Sequence, residues 1–187
     1  MTLSNAISVI QHSDRIETQL SRYESIIGAD YRGYRGHIYR VLSYTLHFLG
    51  DESARPTIET ALVYHDIGLW SDKAISYLEP SIDRAQSDNA SRGWGLDPEL
   101  LEAIIYWHHK VTPYRGRNAA IVNAVRKADW IDASGGRLRM GMPKPCIERV
   151  AEEIPADGFY DTLARIGPEL AGSLPAALRG LMRVYKI

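Results

Sequence analysis

"PTIETALVYHDIGLW", residues 56–70, sets the problem that organises the rest of the chain. Pro56 suits the first turn of a helix, where its missing N–H is not needed. The run through Ala61, Leu62, Val63 and Tyr64 is apolar, and the helix is expected to reach about His65. Then His65 and Asp66 stand side by side, followed by Ile67, Leu69 and Trp70. Burying an ionisable pair costs several kcal/mol unless something pairs with it. Gly68 breaks the helical pattern just after the pair and is expected to let the chain turn away. The stretch therefore predicts a buried helix end with two polar side chains that need a partner.

Outward from this segment the periodicity is helical. Ile16, Leu20, Tyr23 and Ile27 follow one helical stripe, with Asp14 and Glu17 as a capping-box-like start and Gly28 as a stop. A second helix is expected from about Tyr34 to Leu49, with His37, Val41, Tyr44 and Phe48 on one face and Gly50 at its end. "LEPSIDRAQSDNASRGWG" predicts a short helix after Pro80. "LDPELLEAIIYWHHK" has Asp97 as N-cap and Pro98 in the first turn. "GRNAAIVNAVRKADWIDASGG" has Asn118 as N-cap and Gly135-Gly136 as terminator. From about Pro143 the tail alternates Pro/Gly breaks with helical segments. No β alternation and no hairpin turn signal appears. The expectation is one all-α domain spanning residues 1–187.

Composition narrows the function classes. At 187 residues, a compact chain buries roughly 70% of its unfolded surface, so a sizeable core can form. The net charge of −1 offers no general attraction for a nucleic-acid polymer or a membrane surface. No stretch approaches 18 uninterrupted apolar residues, the length a membrane span would need. A single cysteine, Cys146, excludes a disulfide within the chain, and the N-terminus lacks a basic start with a long apolar run. Together these predict a cytoplasmic location. The tail after Pro143 is expected either to cap the domain or to form a homo-oligomer interface.

Three helices each aim a potential metal ligand inward. His37 lies on the inward stripe of the second helix, and His65 and Asp66 end the third. Asp129 follows Val125 by four residues and so continues a buried stripe. Imidazoles and carboxylates together suit a borderline or hard divalent cation: Mn, Fe, Co, Ni, Zn or Mg. Its two positive charges would offset Asp66 and Asp129. Asp132, three residues on, reads as a cap or surface residue. His47 reads as a core or edge residue, and His12 as exposed. Trp70, Trp94, Trp107 and Trp130 read as core anchors.

The order His37, His65-Asp66, Asp129, in the settings "YRGHIYRVL", "YHDIG" and "RKADWID", resembles the HD-domain superfamily of metal-dependent phosphohydrolases. The resemblance covers about Arg35 to Asp132 and implies an HD-like helical bundle. It implies that His37, His65, Asp66 and Asp129 ligate one divalent metal, leaving positions for water and a substrate oxygen. Some members hold two metals with extra histidines after the doublet. Residues 67–107 contain no His, which favours one metal here.

"YWHHK" adds His108 and His109 as candidate phosphate contacts or general acids, with Lys110 beside them. Adjacent helical residues point about 100° apart, so both are not expected to face one metal. Arg35, Lys110, Arg115 and Tyr77 are the candidate substrate contacts, Arg being suited to bidentate binding of phosphate. The expected activity is hydrolysis of a small phosphorylated metabolite or nucleotide by metal-activated water, with Asp66, His108, His109 and Lys110 in the catalytic set. Two other readings remain open. One is hydration of a small nitrile-like substrate, and the other a non-catalytic regulatory module that holds metal structurally.

Overall fold

A computed structural model describes residue 4 and residues 6–73 and 76–171. They form α1 (Asp14–Leu20), α2 (Glu24–Ile27), α3 (Tyr31–Leu49), α4 (Arg55–Tyr64) and α5 (Gly68–Ser71). α6 (Leu78–Ser91), α7 (Pro98–Trp107), α8 (Ala119–Ala133), α9 (Lys144–Glu153) and α10 (Phe159–Ala171) follow. There is no strand among the described residues, so the chain is all-α as its periodicity predicts. No described helix is long and apolar enough to cross a membrane.

α3 is the axis of the bundle. α8 packs along it, and α4, α9 and α10 cover its other sides. As a result Gly33 to Leu46 is buried almost without interruption, beyond the single stripe that periodicity picks out. Two glycines make this possible. A Cβ at Gly33 would lie 3.0 Å from the Asp157 carbonyl and the Phe159 N. One at Gly36 would lie 3.0 Å from the Pro155 carbonyl and 2.9 Å from Arg40 Nη1. The turn between α9 and α10 can therefore seat directly on the α3 backbone. Behind α3, α4 packs on α1, α6 and α7, and α7 also meets α8.

Several helix ends follow the local signals. Asp97 accepts from the N–H groups of Glu99 and Leu100 and caps α7. Gly50 ends α3 in the left-handed region at φ 63°. Others differ. The expected helix over 14–27 is interrupted by a 3₁₀ turn at Ser21–Tyr23. The capping box does not form, because Glu17 instead accepts from Arg35 Nε at 3.0 Å and from the Tyr39 hydroxyl. Asn118 holds the N-cap position at φ 61° but makes no side-chain cap bond. Its neighbour Asn123 ties the preceding loop through Tyr114. Gly68 does not end the helical path but opens α5. It must be small because a Cβ would lie 2.6 Å from the Tyr77 carbonyl. Of the tail after Pro143, expected as cap or interface, α9 and α10 pack on α3, and residues 172–187 lie outside the described residues.

Candidate metal centre

The centre is assembled from two helix interiors and two helix ends. α3 contributes His37, and α8 contributes Asp129. His65 stands at the C-cap of α4 and His108 at the C-cap of α7. These two histidines are set by the same device. His65 Nδ1 donates to the Leu62 carbonyl at 2.7 Å, and His108 Nδ1 donates to the Ile105 carbonyl at 2.6 Å. Each bond uses a carbonyl that a helix end leaves without an intrahelical partner. Each ring is thereby fixed with Nε2 free to face inward. The negative ends of two helix dipoles come with them, which favours a cation. Tyr34 braces the doublet, donating to the Val63 carbonyl at 3.0 Å and stacking beside His65.

The four sequence-predicted ligands meet. His37 Nε2 lies 3.0 Å from His65 Nε2, 3.4 Å from Asp129 Oδ1 and 4.0 Å from Asp66 Oδ2. His65 Nε2 lies 3.2 Å from Asp66 Oδ2 and 3.9 Å from Asp129 Oδ1. Two nitrogen ligands bonded at ~2.1 Å and at right angles stand about 3.0 Å apart. The side chains are buried, His65 completely and His37 at 1% exposure. The donor atoms form two overlapping groups, His37–His65–Asp129 and His65–Asp66–His108. His65 belongs to both. The two oxygens of Asp66 are turned to different histidines, Oδ2 to His65 and Oδ1 to His108 at 3.2 Å.

The proton inventory makes the cluster unusual. His37 Nδ1 faces Asp132 Oδ2 at 2.7 Å, so both His37 and His65 carry their proton on Nδ1 when neutral. Two bare Nε2 lone pairs at 3.0 Å repel unless a proton or another cation lies between them. Burial alone would lower the pKa of His37, but hydrogen bonds to Asp129 and Asp132 and their charges outweigh it and push it up to about 9. Burial lowers His65 to about 4. One proton on His37 therefore fills the gap in the metal-free protein. Burial opposes ionisation of Asp66, yet the surrounding His65, His108 and His37 hold it well below the usual carboxylate range.

His108 is 2% exposed, and against its burial the bond to Asp66 raises its pKa. The His-His pair works as a unit. His109 Nδ1 is 2.8 Å from His108 Nε2, and the Tyr77 hydroxyl stands 3.3 Å from both rings. Tyr77 is thus brought to the cluster, its phenol kept protonated by burial and the nearby carboxylates. Lys110 is buried at 1% exposure with its ammonium 4.9 Å over the Tyr106 ring. Burial lowers its pKa, with Glu79 opposing.

The arginines are placed elsewhere. Arg35 is bound to Glu17 of α1 and lies over Tyr39. Two residues before His37, it stands about 200° around the helix from that side chain. Arg115 is exposed on the α7–α8 loop. Arg117 pairs with Asp97 and Glu99, and Arg126 donates to the Lys110 and Val111 carbonyls.

Asp132 corrects its surface assignment. It is 2% exposed, bonded to His37 and gripped by Arg40, whose Nε is 2.6 Å from Oδ1 and Nη2 2.9 Å from Oδ2. A periodic signal for it existed. His37 and Arg40 on α3, and Asp129 and Asp132 on α8, are matching i, i+3 pairs, and such pairs share a helix face. Phe159 is another residue the sequence did not single out, stacked on the His37 ring at 4.2 Å. Comparison with family models, with curated proteins and with solved structures finds no match to this chain.

Proposed function

We propose that the chain is a metal-dependent hydrolase of the HD type, acting on a small phosphate ester or nucleotide. His37, His65, Asp66 and Asp129 would hold one divalent ion of the Mn, Fe, Co, Ni, Zn or Mg class. The observation that carries this reading is the pair of inward-facing Nε2 atoms 3.0 Å apart beside two buried carboxylates. When bound, such an ion supplies a water of lowered pKa and a Lewis acid for a phosphoryl oxygen. Asp66 and Asp129 offset its charge.

The remaining roles fall to the ends of α4 and α7. His108, with its raised pKa, holds a proton against Asp66 Oδ1 and is the group placed to donate it to a leaving oxygen. Tyr77 and His109 hold that ring in position. Lys110 adds a positive charge directly after the pair.

The test is phosphate release from nucleoside mono-, di- and triphosphates with added Mn²⁺, comparing wild type with Asp66→Ala. Release that a chelator and the substitution both abolish supports the reading. Release indifferent to both contradicts it.

One observation favours a second reading, metal-assisted hydration of a small neutral, nitrile-like substrate. Arg35, Arg117 and Arg126 are bonded to acidic residues or carbonyls rather than converging on the cluster. Turnover of a small nitrile-like compound in the absence of any phosphatase activity would select it.

A further inference from the structure

A histidine can ligate through Nε2 as a neutral ring only while its proton sits on Nδ1, and something must hold it there. For His65 that partner is a backbone carbonyl. For His37 it is the Asp132 carboxylate, and Asp132 is itself clamped. Arg40 presents Nε and Nη2 to its two oxygens in the fork geometry that suits a carboxylate. The third arm of the guanidinium, Nη1, donates to the Pro155 carbonyl at 2.9 Å. Phe159, four residues on, lies flat on the His37 ring at 13° and under the Arg40 guanidinium at 5.6 Å. Arg40, Asp132 and His37 are all within 2% exposure, so water does not compete for these bonds.

From this geometry we infer that Asp132 is a positioning residue for the metal centre. Held by Arg40 and by the turn between α9 and α10, it fixes the His37 tautomer and makes its Nε2 a stronger donor to a divalent cation. The inference rests on the metal reading above and extends it to residues outside the ligand set. It also gives the C-terminal helices a function. Without the Pro155 carbonyl and Phe159, neither Arg40 nor the His37 ring is held on its far side. A purely structural clamp would tie α3 to α8 and leave the ring's affinity for metal unchanged. Removing an outer partner of this kind typically costs 10–100-fold in metal affinity.

The experiment is Zn²⁺ titration of wild type and Asp132→Asn by calorimetry, with melting curves for both. It is joined by long-range ¹⁵N imidazole spectra of the wild type with and without Zn²⁺. Expected are a 10–100-fold weaker Zn²⁺ affinity in folded Asp132→Asn, and a His37 that keeps Nδ1–H while Nε2 takes the metal shift. A folded Asp132→Asn that binds Zn²⁺ within twofold of wild type would overturn the inference and leave the metal reading standing. A Zn²⁺-bound wild type whose His37 ligates through Nδ1, or lacks the Nδ1 proton, would overturn it even if the variant failed to fold. No Zn²⁺ binding by wild type would remove the metal reading itself, and the inference with it.

Discussion

On the wall formed by α3 and α8, His37 is held by a carboxylate and an arginine. On the wall formed by the ends of α4 and α7, His65 and His108 are held by neutral carbonyls. The first wall is ionic and closed, with Arg40, Asp132 and His37 locked together and to the Pro155 carbonyl. The second is made of helix ends that already carry spare acceptors, with Tyr77 and His109 gathered beside it. The contrast separates two tasks. The ionic wall raises the pKa of His37 to about 9 and would seat an ion, while on the helix-end wall burial lowers His65 to about 4 and the bond to Asp66 raises His108, the ring proposed to donate a proton.

That division can be broken by substitution. The largest expected effect is on turnover. His108→Ala should lower hydrolysis about 10²- to 10⁴-fold, the range of a general acid, while metal content stays at the wild-type level. Metal analysis beside a phosphate-release assay checks it, and loss of metal in the variant would move His108 into the ligand set.

On the ionic wall the effect should appear as stability. Arg40→Met leaves Asp132 buried with His37 as its one remaining cationic partner, and breaking a buried pair this way costs about 3–5 kcal/mol. Urea unfolding of the metal-free protein reads it directly. A loss below about 1 kcal/mol would mean that water reaches the Asp132 carboxylate.

The next effect is a pH dependence. Because the folded pKa of His37 is raised to about 9, the ring is protonated at neutral pH and must lose that proton to ligate. Metal affinity should therefore rise about tenfold per pH unit between pH 7 and 9, then flatten. Folding responds with the opposite sign. The contribution of protonated His37 is full below pH 6.5 and is lost as pH rises through about 9. Calorimetry in buffers of different ionisation enthalpy should show about one proton released at pH 7. The smallest effect is expected at Arg115→Ala. This exposed side chain should change stability by less than about 0.5 kcal/mol and leave the KM for a phosphate substrate unchanged. A rise in KM would bring the α7–α8 loop into the substrate site.

The contrast between the walls also explains what the sequence made legible. Candidate ligands on helical stripes can be read from spacing, so period alone places His37 and Asp129, and the apolar setting places His65 and Asp66. Asp97 and Gly50 were legible because caps and left-handed turns are local. Asp132 was harder, since its burial depends on Arg40 from a helix about ninety residues away in sequence. The i, i+3 repeat on both helices carried that signal, whereas a cap is the common use of an aspartate near a helix end. Phe159 had no ligand pattern to mark it. Gly68 predicts a turn because local sequence cannot show that the Tyr77 carbonyl comes against it. Glu17 predicts a cap because its partner Arg35 is on another helix. What the sequence concealed in each case was a long-range contact.

The central claim is that His37, His65, Asp66 and Asp129 form one seat for a divalent cation. It is tested most directly by metal stoichiometry of the purified protein, after dialysis against Zn²⁺ and removal of free metal, for wild type and Asp129→Ala. The account predicts about one equivalent in wild type and almost none in a folded Asp129→Ala. Wild type without bound metal, or Asp129→Ala with the same content as wild type, would contradict it.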